Sequence, residues 1–490
     1  MLADIKHIAK QAGIYSVGNV AAKAIGIVLL PLYTSVLPVA EFGVLAIIEV
    51  SLSIGTEVLV LGQSSSLLIL TNLAEFQGRG RVLFVTILSF LLAGLVPLIA
   101  LVIFLAPVVV SDAQIVGYIQ AGSIVVVLRV LNDIFLNWFR ANERSKAYTV
   151  ISLSRLAITL VVAVVLIVSE GMGILGILLA YIVGETSGLL LSVIVERRSL
   201  EWRIEPDLMR RTLTFGAPLA FGSLAAILLN GSDRYVLSIL AGTEQVALFD
   251  LGYRVAGVIS MLVIMPLNLA LPAIAARKFR TPGDKRYYSK IMTYFVLVMS
   301  WVGLALCLFA PEIVMVFTKK PTYWPAANIV PLQVATFILI GMRFVAVQGL
   351  YLTQRTRIIA MLVFGAALIN IAANVVLVPL LQAYGSAAAG LFSMFLLLLI
   401  TKRKADKEYA IPFEIGKLIR IVLIGALFVI CSRTFLPPGT IVSALGNVLI
   451  LLVFPISLLA FRIYEPIEIQ RIREILLAGR PGSLDPGQKN

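Results

Sequence analysis

AGIYSVGNVAAKAIGIVLLPLYTSVLPVAEFGVL, residues 12–45, and FGAPLAFGSLAAILLNGSDRYVLSILAGTEQVAL, residues 215–248, align without a gap at an offset of 203 residues. Each is a long apolar run, a short turn and the start of a second apolar run. Gly13 pairs with Gly216, Leu37 with Leu240, Glu41 with Glu244 and Leu45 with Leu248. A second echo pairs VVLIVSEGMGILG from Val164 with VVLVPLLQAYGSAAAG from Val375. Together they predict two lobes of six helices each. Six is even, so both lobes enter the membrane from the same side, which makes a parallel repeat about an axis along the membrane normal. Two lobes around a central cavity is a plan suited to transport.

The solvent for these helices is lipid. Of 490 residues, 60% are hydrophobic and 13% charged, with mean hydropathy +1.00. Soluble domains carry about 25% charged residues, and a water-soluble chain could not hide this much apolar surface. Expected spans are 12–37, 43–71, 83–109, 113–139, 147–168, 174–195, 213–240, 246–272, 290–313, 325–350, 357–379, 385–401, 415–435 and 441–463. Each approaches the roughly 17–25 residues that cross a hydrocarbon core. The fold expected is an all-α polytopic membrane protein of about fourteen transmembrane helices, two six-helix lobes plus two C-terminal helices. The segment from Ile14 to Leu37 is too long for a signal-peptide core and lacks a small-residue cleavage site, so it reads as the first membrane helix.

The divisions that follow are an N-lobe at 1–195, a linker at 196–212, a C-lobe at 213–401, a second linker at 402–414, helices 13 and 14 within 415–463, and a tail at 464–490. The cations test this layout. Of 40 Lys and Arg, 30 fall in the even-numbered gaps, at the span ends beside them and in the termini, and only Lys319, Lys320 and Arg433 fall in the odd-numbered gaps or at the span ends beside those. Such asymmetry places the termini and the even gaps in the cytoplasm. The net charge of +14 thus sets topology, and no nucleic-acid partner is expected.

Several chemistries are excluded. Odd-numbered loops are short, the longest running from Ala310 to Trp324, so no catalytic domain fits there. The sole histidine is His7, and Cys307 and Cys431 lie in apolar stretches as packing residues. No phosphate loop, dinucleotide fingerprint, metal cluster or nucleophile with a base is present, so an enzyme is not expected and no cofactor is implied.

Ionisable groups inside a span are costly and face a partner or a cavity. Tyr15, Asn19 and Lys23 share one helix face. Lys23 lies at the depth of Glu49, Ser53 and Glu57 on the next helix, either as an ion pair or as a cavity-facing cation. Arg129 and Asp133 sit four apart, where they could pair with each other. With Arg155 and Arg343 they alternatively make a cationic vestibule, since arginine grips phosphate in a bidentate fork. Asp233, Arg234, Asp250 and Arg254 flank one tight turn, as a self-neutralising ion-pair network or an outer gate. Glu185 has no obvious sequence partner; with Glu57 and Asp133 it is a candidate proton or sodium coupling site. Asn370 and Asn374 share a face and read as helix–helix hydrogen bonds.

The stretches GIYSVGNVAAKAIGIVLLPLYTSVLPVAEFGVLAI and NGSDRYVLSILAGTEQVALFDLGYRVAGV resemble the two lobe starts of prokaryotic polysaccharide transporters. These belong to the multidrug/oligosaccharidyl-lipid/polysaccharide flippase superfamily. The 6+6+2 order is similar to that of the Wzx-type O-antigen and exopolysaccharide flippases. The resemblance implies a flippase moving undecaprenyl-pyrophosphate-linked oligosaccharide to the outer leaflet of a bacterial cytoplasmic (inner) membrane, by alternating access through a cationic cavity, for lipopolysaccharide or other surface polysaccharide biosynthesis. It implies Lys23, Arg129, Arg155, Arg343 and Asn19 as substrate-binding residues. The partners would be the lipid-linked oligosaccharide and membrane lipid, together with polysaccharide polymerase and chain-length machinery. The rival readings are a lipid II (peptidoglycan precursor) flippase and an ion-coupled multidrug exporter.

Overall fold

The computed structural model describes residues 29–465, apart from 77, 198–200, 202, 269–270, 272–274, 276–278, 280, 282, 437–439 and 462. The expected span 12–37, with Asn19 and Lys23, lies outside the described residues except for its end. That end is α1, Leu30–Val36, opened by Pro31 in its first turn.

Every regular element among the described residues is helical. The first group is α2 (Val39–Val60), α3 (Gln63–Leu70), α4 (Gly80–Val109), α5 (Ala113–Ala141), α6 (Ser145–Val164) and α7 (Gly173–Glu196). The second is α8 (Pro206–Ala241), α9 (Thr243–Ala256), α10 (Asp284–Leu308), α11 (Ala310–Phe317), α12 (Val330–Ala346) and α13 (Thr356–Tyr409). The C-terminal pair is α14 (Ile415–Phe435) and α15 (Ile441–Ala460). Both pack on α10, where Ser432 donates to Asn447, and Asn447 donates to the Leu308 carbonyl at 3.1 Å.

Twelve helices among the described residues are long and apolar enough to cross a membrane, against the fourteen expected. One difference is α13, which covers the expected spans 357–379 and 385–401 in 54 residues. At 1.5 Å per residue it would be roughly 80 Å long, far beyond a hydrocarbon core of about 30 Å. It reverses at Gln382, whose φ is 52° and ψ −129°. A Cβ on Gly385 would lie 2.2 Å from the Leu377 carbonyl oxygen, so the backbone doubles back there. Asn370 reaches Ser393 and Ser386 reaches Asn374, the pairing of an antiparallel hairpin. The other difference is the expected span 12–37.

The expected span 43–71 is two helices. Leu61 and Gly62 both adopt left-handed backbone angles and separate α2 from α3. Gly62 is required there: φ is +71°, and a Cβ would meet the Gly216 carbonyl oxygen at 2.1 Å. The loop expected over 310–324 is built instead, from α11 and a 3-10 turn at Pro321–Asn328. α5 starts where Asp112 caps the backbone N–H groups of Gln114 and Ile115 at 2.8 and 3.2 Å. Outward faces stay apolar: Phe104, Val108 and Ile239 are each at least 75% exposed. Lipid, not water, is the solvent that tolerates such a surface.

The two groups meet along α2 and α3, which lie against α8 and α9. At the end carrying the short turns, a Cβ on Gly43 would fall 1.8 Å from the Thr243 carbonyl oxygen, so the helices touch backbone to backbone. Phe42 packs edge-on against Tyr323 with ring centroids 5.9 Å apart. Thr34 donates to the Phe317 carbonyl at 2.7 Å and Lys320 to the Leu37 carbonyl at 2.8 Å. At the opposite, basic end, Gly62 meets Gly216 and the Ser66 hydroxyl donates to the Thr212 carbonyl at 2.9 Å. Arg79 pairs with Glu205, and Arg81 with Glu201 at 3.3 Å.

Candidate functional site

Midway between the two closures lies a cavity of about 430 Å³, roofed by charge. Its walls include Glu49 and Ser53 of α2, Asn230 and Arg234 of α8, and Asp250 and Arg254 of α9. Asp250 bridges two arginines: Arg234 Nη2 to Oδ1 at 3.0 Å and Arg254 Nε to Oδ2 at 2.6 Å. Arg254 also reaches Glu49 Oε2 at 2.5 Å, across the boundary between the groups. The Tyr181 hydroxyl donates to Glu49 Oε1 at 3.0 Å. Two carboxylates and two guanidiniums thus neutralise one another, which a low-dielectric site demands. Arg234 lies 4.4 Å from the Tyr253 ring centroid and 5.0 Å from that of Phe249, and so is also held by cation–π contacts.

The sequence reading grouped Asp233 with this network, but in the structure Glu49 takes that place. Asp233 points to the other side of α8, where Asn374 donates to its Oδ1 at 2.7 Å, and it forms no ion pair among the described residues. The cause is helical geometry: adjacent residues on α8 diverge by about 100°, so Asp233 and Arg234 cannot share a partner. Asn370 and Asn374 hydrogen-bond around it to Ser232, Ser393 and Ser386.

The N-terminal group holds a second charged cluster. Arg155 Nη1 donates to Glu185 Oε2 at 3.0 Å, Arg129 Nε lies 3.5 Å from Glu185 Oε1, and Asn132 donates to Oε2 at 3.0 Å. Glu185, without a partner in the sequence, therefore bridges two of the arginines read as a vestibule and offsets one of their two charges. Arg129 does not pair with Asp133. Asp133 instead accepts from Ser64 and, at 3.1 Å, from Asn137. Arg129 also stacks 5.1 Å over the Tyr181 ring, which links this cluster to Glu49. Glu57 of α2 interacts with Ser223 of α8.

A larger cavity of about 950 Å³ continues towards the basic end. It shares Ala226 and Asn230 with the first and lies among α8, α12 and the start of α13. Arg343 and Arg357 line it. Tyr181, Ser223 and Arg357 went unread in the sequence. Arg357 stands at a span boundary, where cations mark topology, and nothing in sequence singles out Tyr181 or Ser223.

Among the described residues, no group of three or more His, Cys, Asp or Glu side chains could hold a metal ion. Outside the membrane spans, Glu414 accepts from Thr293 at 2.9 Å and pairs with Lys290 at 3.1 Å and Lys417 at 3.0 Å, and Lys290 pairs with Glu465 at 2.6 Å. Burial pushes the Glu414 carboxyl up, but its Lys417, Thr293 and Lys290 hydrogen bonds outweigh that and hold it below the usual range. The Lys290 hydrogen bond does the same for Glu465.

Two helix groups closing around charged cavities are an arrangement that solved structures share. The lipid II flippase MurJ, in an inward closed conformation, superposes with TM-score 0.73 at 12% identity, covering 92% of this chain and 99% of that one. An inward-facing multidrug resistance MATE family transporter of the MOP superfamily gives 0.62 at 14% identity, covering 80% and 95%. A MOP superfamily transporter from Pyrococcus furiosus gives 0.58 at 15%, covering 82% and 96%. At such identities the likeness is one of fold. A search of curated proteins finds no significant match. The family follows from sequence: residues 8–278, more than half of the chain, match the model of the polysaccharide biosynthesis protein family, and the chain belongs to it. Its fold is similar to that of these multi-pass transporters and flippases.

Proposed function

We propose that the protein flips undecaprenyl-pyrophosphate-linked oligosaccharide repeat units from the cytoplasmic to the outer leaflet of a bacterial inner membrane for surface polysaccharide biosynthesis. The observation that carries this is the Glu49–Arg254 contact, an ion pair between helix groups at the roof of a cavity. Such a pair can break and reform as one group tilts against the other, which is what alternating access requires. The basic end, with 30 of 40 cations beside it in the sequence, is assigned to the cytoplasm together with both termini. Substrate enters there, with Arg129, Arg155 and Arg343 near its phosphates. Lys23 and Asn19, outside the described residues, are further candidates for binding substrate. Glu57, Asp133 and Glu185 are the acids through which a proton or sodium ion would couple. A polymerase and chain-length machinery would take the product.

The test is lipid extraction from cells lacking the gene, with the leaflet of each lipid-linked sugar assigned by probe accessibility. Accumulation of a lipid-linked oligosaccharide on the cytoplasmic side, reversed by the intact gene, is the expected result. Accumulation of the peptidoglycan precursor alone would replace this reading with lipid II flipping. Sensitivity to cationic drugs without any accumulation would replace it with drug export.

A further inference from the structure

We infer that Tyr181 is a positioning residue that transmits the charge state of Glu185 to the Glu49–Arg254 lock between the helix groups. The inference rests on the flippase reading only for what that lock serves. The first argument is the path. Tyr181 and Glu185 stand four apart on α7 and share a face. Glu185 Oε2 holds Arg155 and Asn132, each at 3.0 Å, while Oε1 holds Arg129 at 3.5 Å. Arg129 in turn covers the Tyr181 ring at 5.1 Å. The hydroxyl of that ring donates to Glu49 Oε1 at 3.0 Å, and Arg254 takes the other oxygen at 2.5 Å. Glu185 and Glu49 share no cation among the described residues, so the tyrosine is what both sides meet.

The second argument is charge. Around Glu185 two guanidiniums meet one carboxylate, whereas at the roof two meet two. The surplus falls on Arg129, which makes the longer of the two contacts, so its place over the ring depends on Glu185 keeping its charge. Without that charge two like cations remain side by side and the less firmly held one moves. The ring then loses the cation that fixes its angle, and the hydroxyl loses its aim at Glu49. The third argument is that the backbone cannot respond instead. A Cβ on Gly184 would fall 1.8 Å from Thr159 Oγ1, and one on Gly188 would lie 3.1 Å from Arg155 Cδ and from Asn132 Oδ1. With α7 packed this closely on α5 and α6, a change at Glu185 leaves through side chains. At Glu49 the hydrogen bond selects an oxygen: with Oε1 held by Tyr181, Oε2 is presented to Arg254. Loss of that bond frees the Glu49 carboxylate to turn away, and the groups part more readily at the turn end. Any event that removes the Glu185 charge therefore loosens a lock that Glu185 does not touch.

The experiment uses the full chain in nanodiscs without added substrate. Cys307 and Cys431 are replaced, and spin labels stand at Ser35 and Lys319, exposed on opposite sides of the turn-end closure. Glu185→Gln keeps the side chain's shape and should raise the open-to-closed ratio roughly threefold. Tyr181→Phe keeps the ring, removes only the hydroxyl and should raise the ratio roughly tenfold. The double variant should match Tyr181→Phe alone, because the hydroxyl that transmits the change is already gone. A merely structural role for Tyr181 predicts effects that multiply; multiplied effects, or an unchanged ratio in Glu185→Gln, would overturn the inference. If Glu185→Gln yields no folded protein, Arg129→Gln makes the same test, since Arg155 stays with Glu185. Arg129→Lys returns a cation to the ring face and should bring the ratio back to that of the wild type; a ratio as high as in Arg129→Gln would overturn the part given to Arg129. Because no substrate is present, the outcome does not depend on what is carried. A deletion strain that traps no lipid-linked sugar would refute the flippase reading and leave the coupling standing, and multiplied effects alongside trapped sugar would do the reverse.

Discussion

Glu49→Gln isolates the ion pair on which alternating access is argued to turn. The substitution keeps length and shape and can still accept the Tyr181 hydrogen bond, but it removes the charge facing Arg254. Arg254 retains Asp250 at 2.6 Å, so no cation is orphaned and folding should survive. What is lost is one charge-assisted hydrogen bond between the groups, worth about 1.5–3 kcal/mol. Partial exposure, 25% for the Glu49 side chain and 17% for that of Arg254, favours the low end of that range. At about 1.4 kcal/mol per factor of ten, the equilibrium between closed and open turn ends should move roughly tenfold towards open. Spin labels at Ser35 and Lys319, both exposed and on opposite sides of that closure, would report it in a background lacking Cys307 and Cys431. The expected result is growth of a longer-distance population with expression and melting temperature little changed. An unchanged distance distribution would refute the claim that this pair helps hold the turn end shut.

Asp250→Ala should be far worse than Glu49→Gln, because it strands the buried Arg234 and leaves Arg254 with Glu49 alone; a loss of about 3–5 kcal/mol should show as failure to recover folded protein by size-exclusion chromatography. Arg155→Gln leaves Glu185 with the longer Arg129 ion pair and the Asn132 hydrogen bond; transport should fall by roughly tenfold in a complementation assay, with normal protein levels on immunoblots, and full transport would remove Arg155 from the pathway. Gly43→Ala and Gly62→Ala should act at opposite ends, the first blocking closure beside Thr243 and the second beside Gly216, read as reciprocal changes in cysteine accessibility. Glu414 and Glu465 have folded values below the unfolded carboxylate value of about 4.3. Their stabilisation is therefore complete above that pH and lost as pH falls through the lowered values. The melting temperature should drop below about pH 4, and less steeply in the Glu414→Gln, Glu465→Gln double variant.

Much of the architecture was legible because lipid forces it into sequence. Apolar runs of fixed length and the segregation of cations are demands of the solvent, so the span positions follow without tertiary information. What sequence could not place was the partner of each buried charge. Glu185 and Arg155 are 30 residues apart and Glu49 and Arg254 are 205 apart, and only packing brings them together. Local spacing suggested Arg129 with Asp133, and grouped Asp233 with Arg234, Asp250 and Arg254; packing chose otherwise for Arg129 and for Asp233. The hairpin at Gln382 was legible as two spans, yet nothing in that segment announces a left-handed glutamine. The break at Leu61–Gly62 lay hidden inside one apolar run, since its cause, the Gly216 backbone, is in the other lobe.

The paired glycine contacts bear on something besides motion. Gly43 and Gly62 stand 19 residues apart in the sequence, close to the thickness of the hydrocarbon core at 1.5 Å per residue. Backbone is pressed on backbone at both places. A membrane that stores energy as an ion gradient short-circuits through any protein that conducts even slowly. On the proposed function, the two glycine seats are electrical insulation in series, so that a carrier wide enough for a sugar chain need not leak protons.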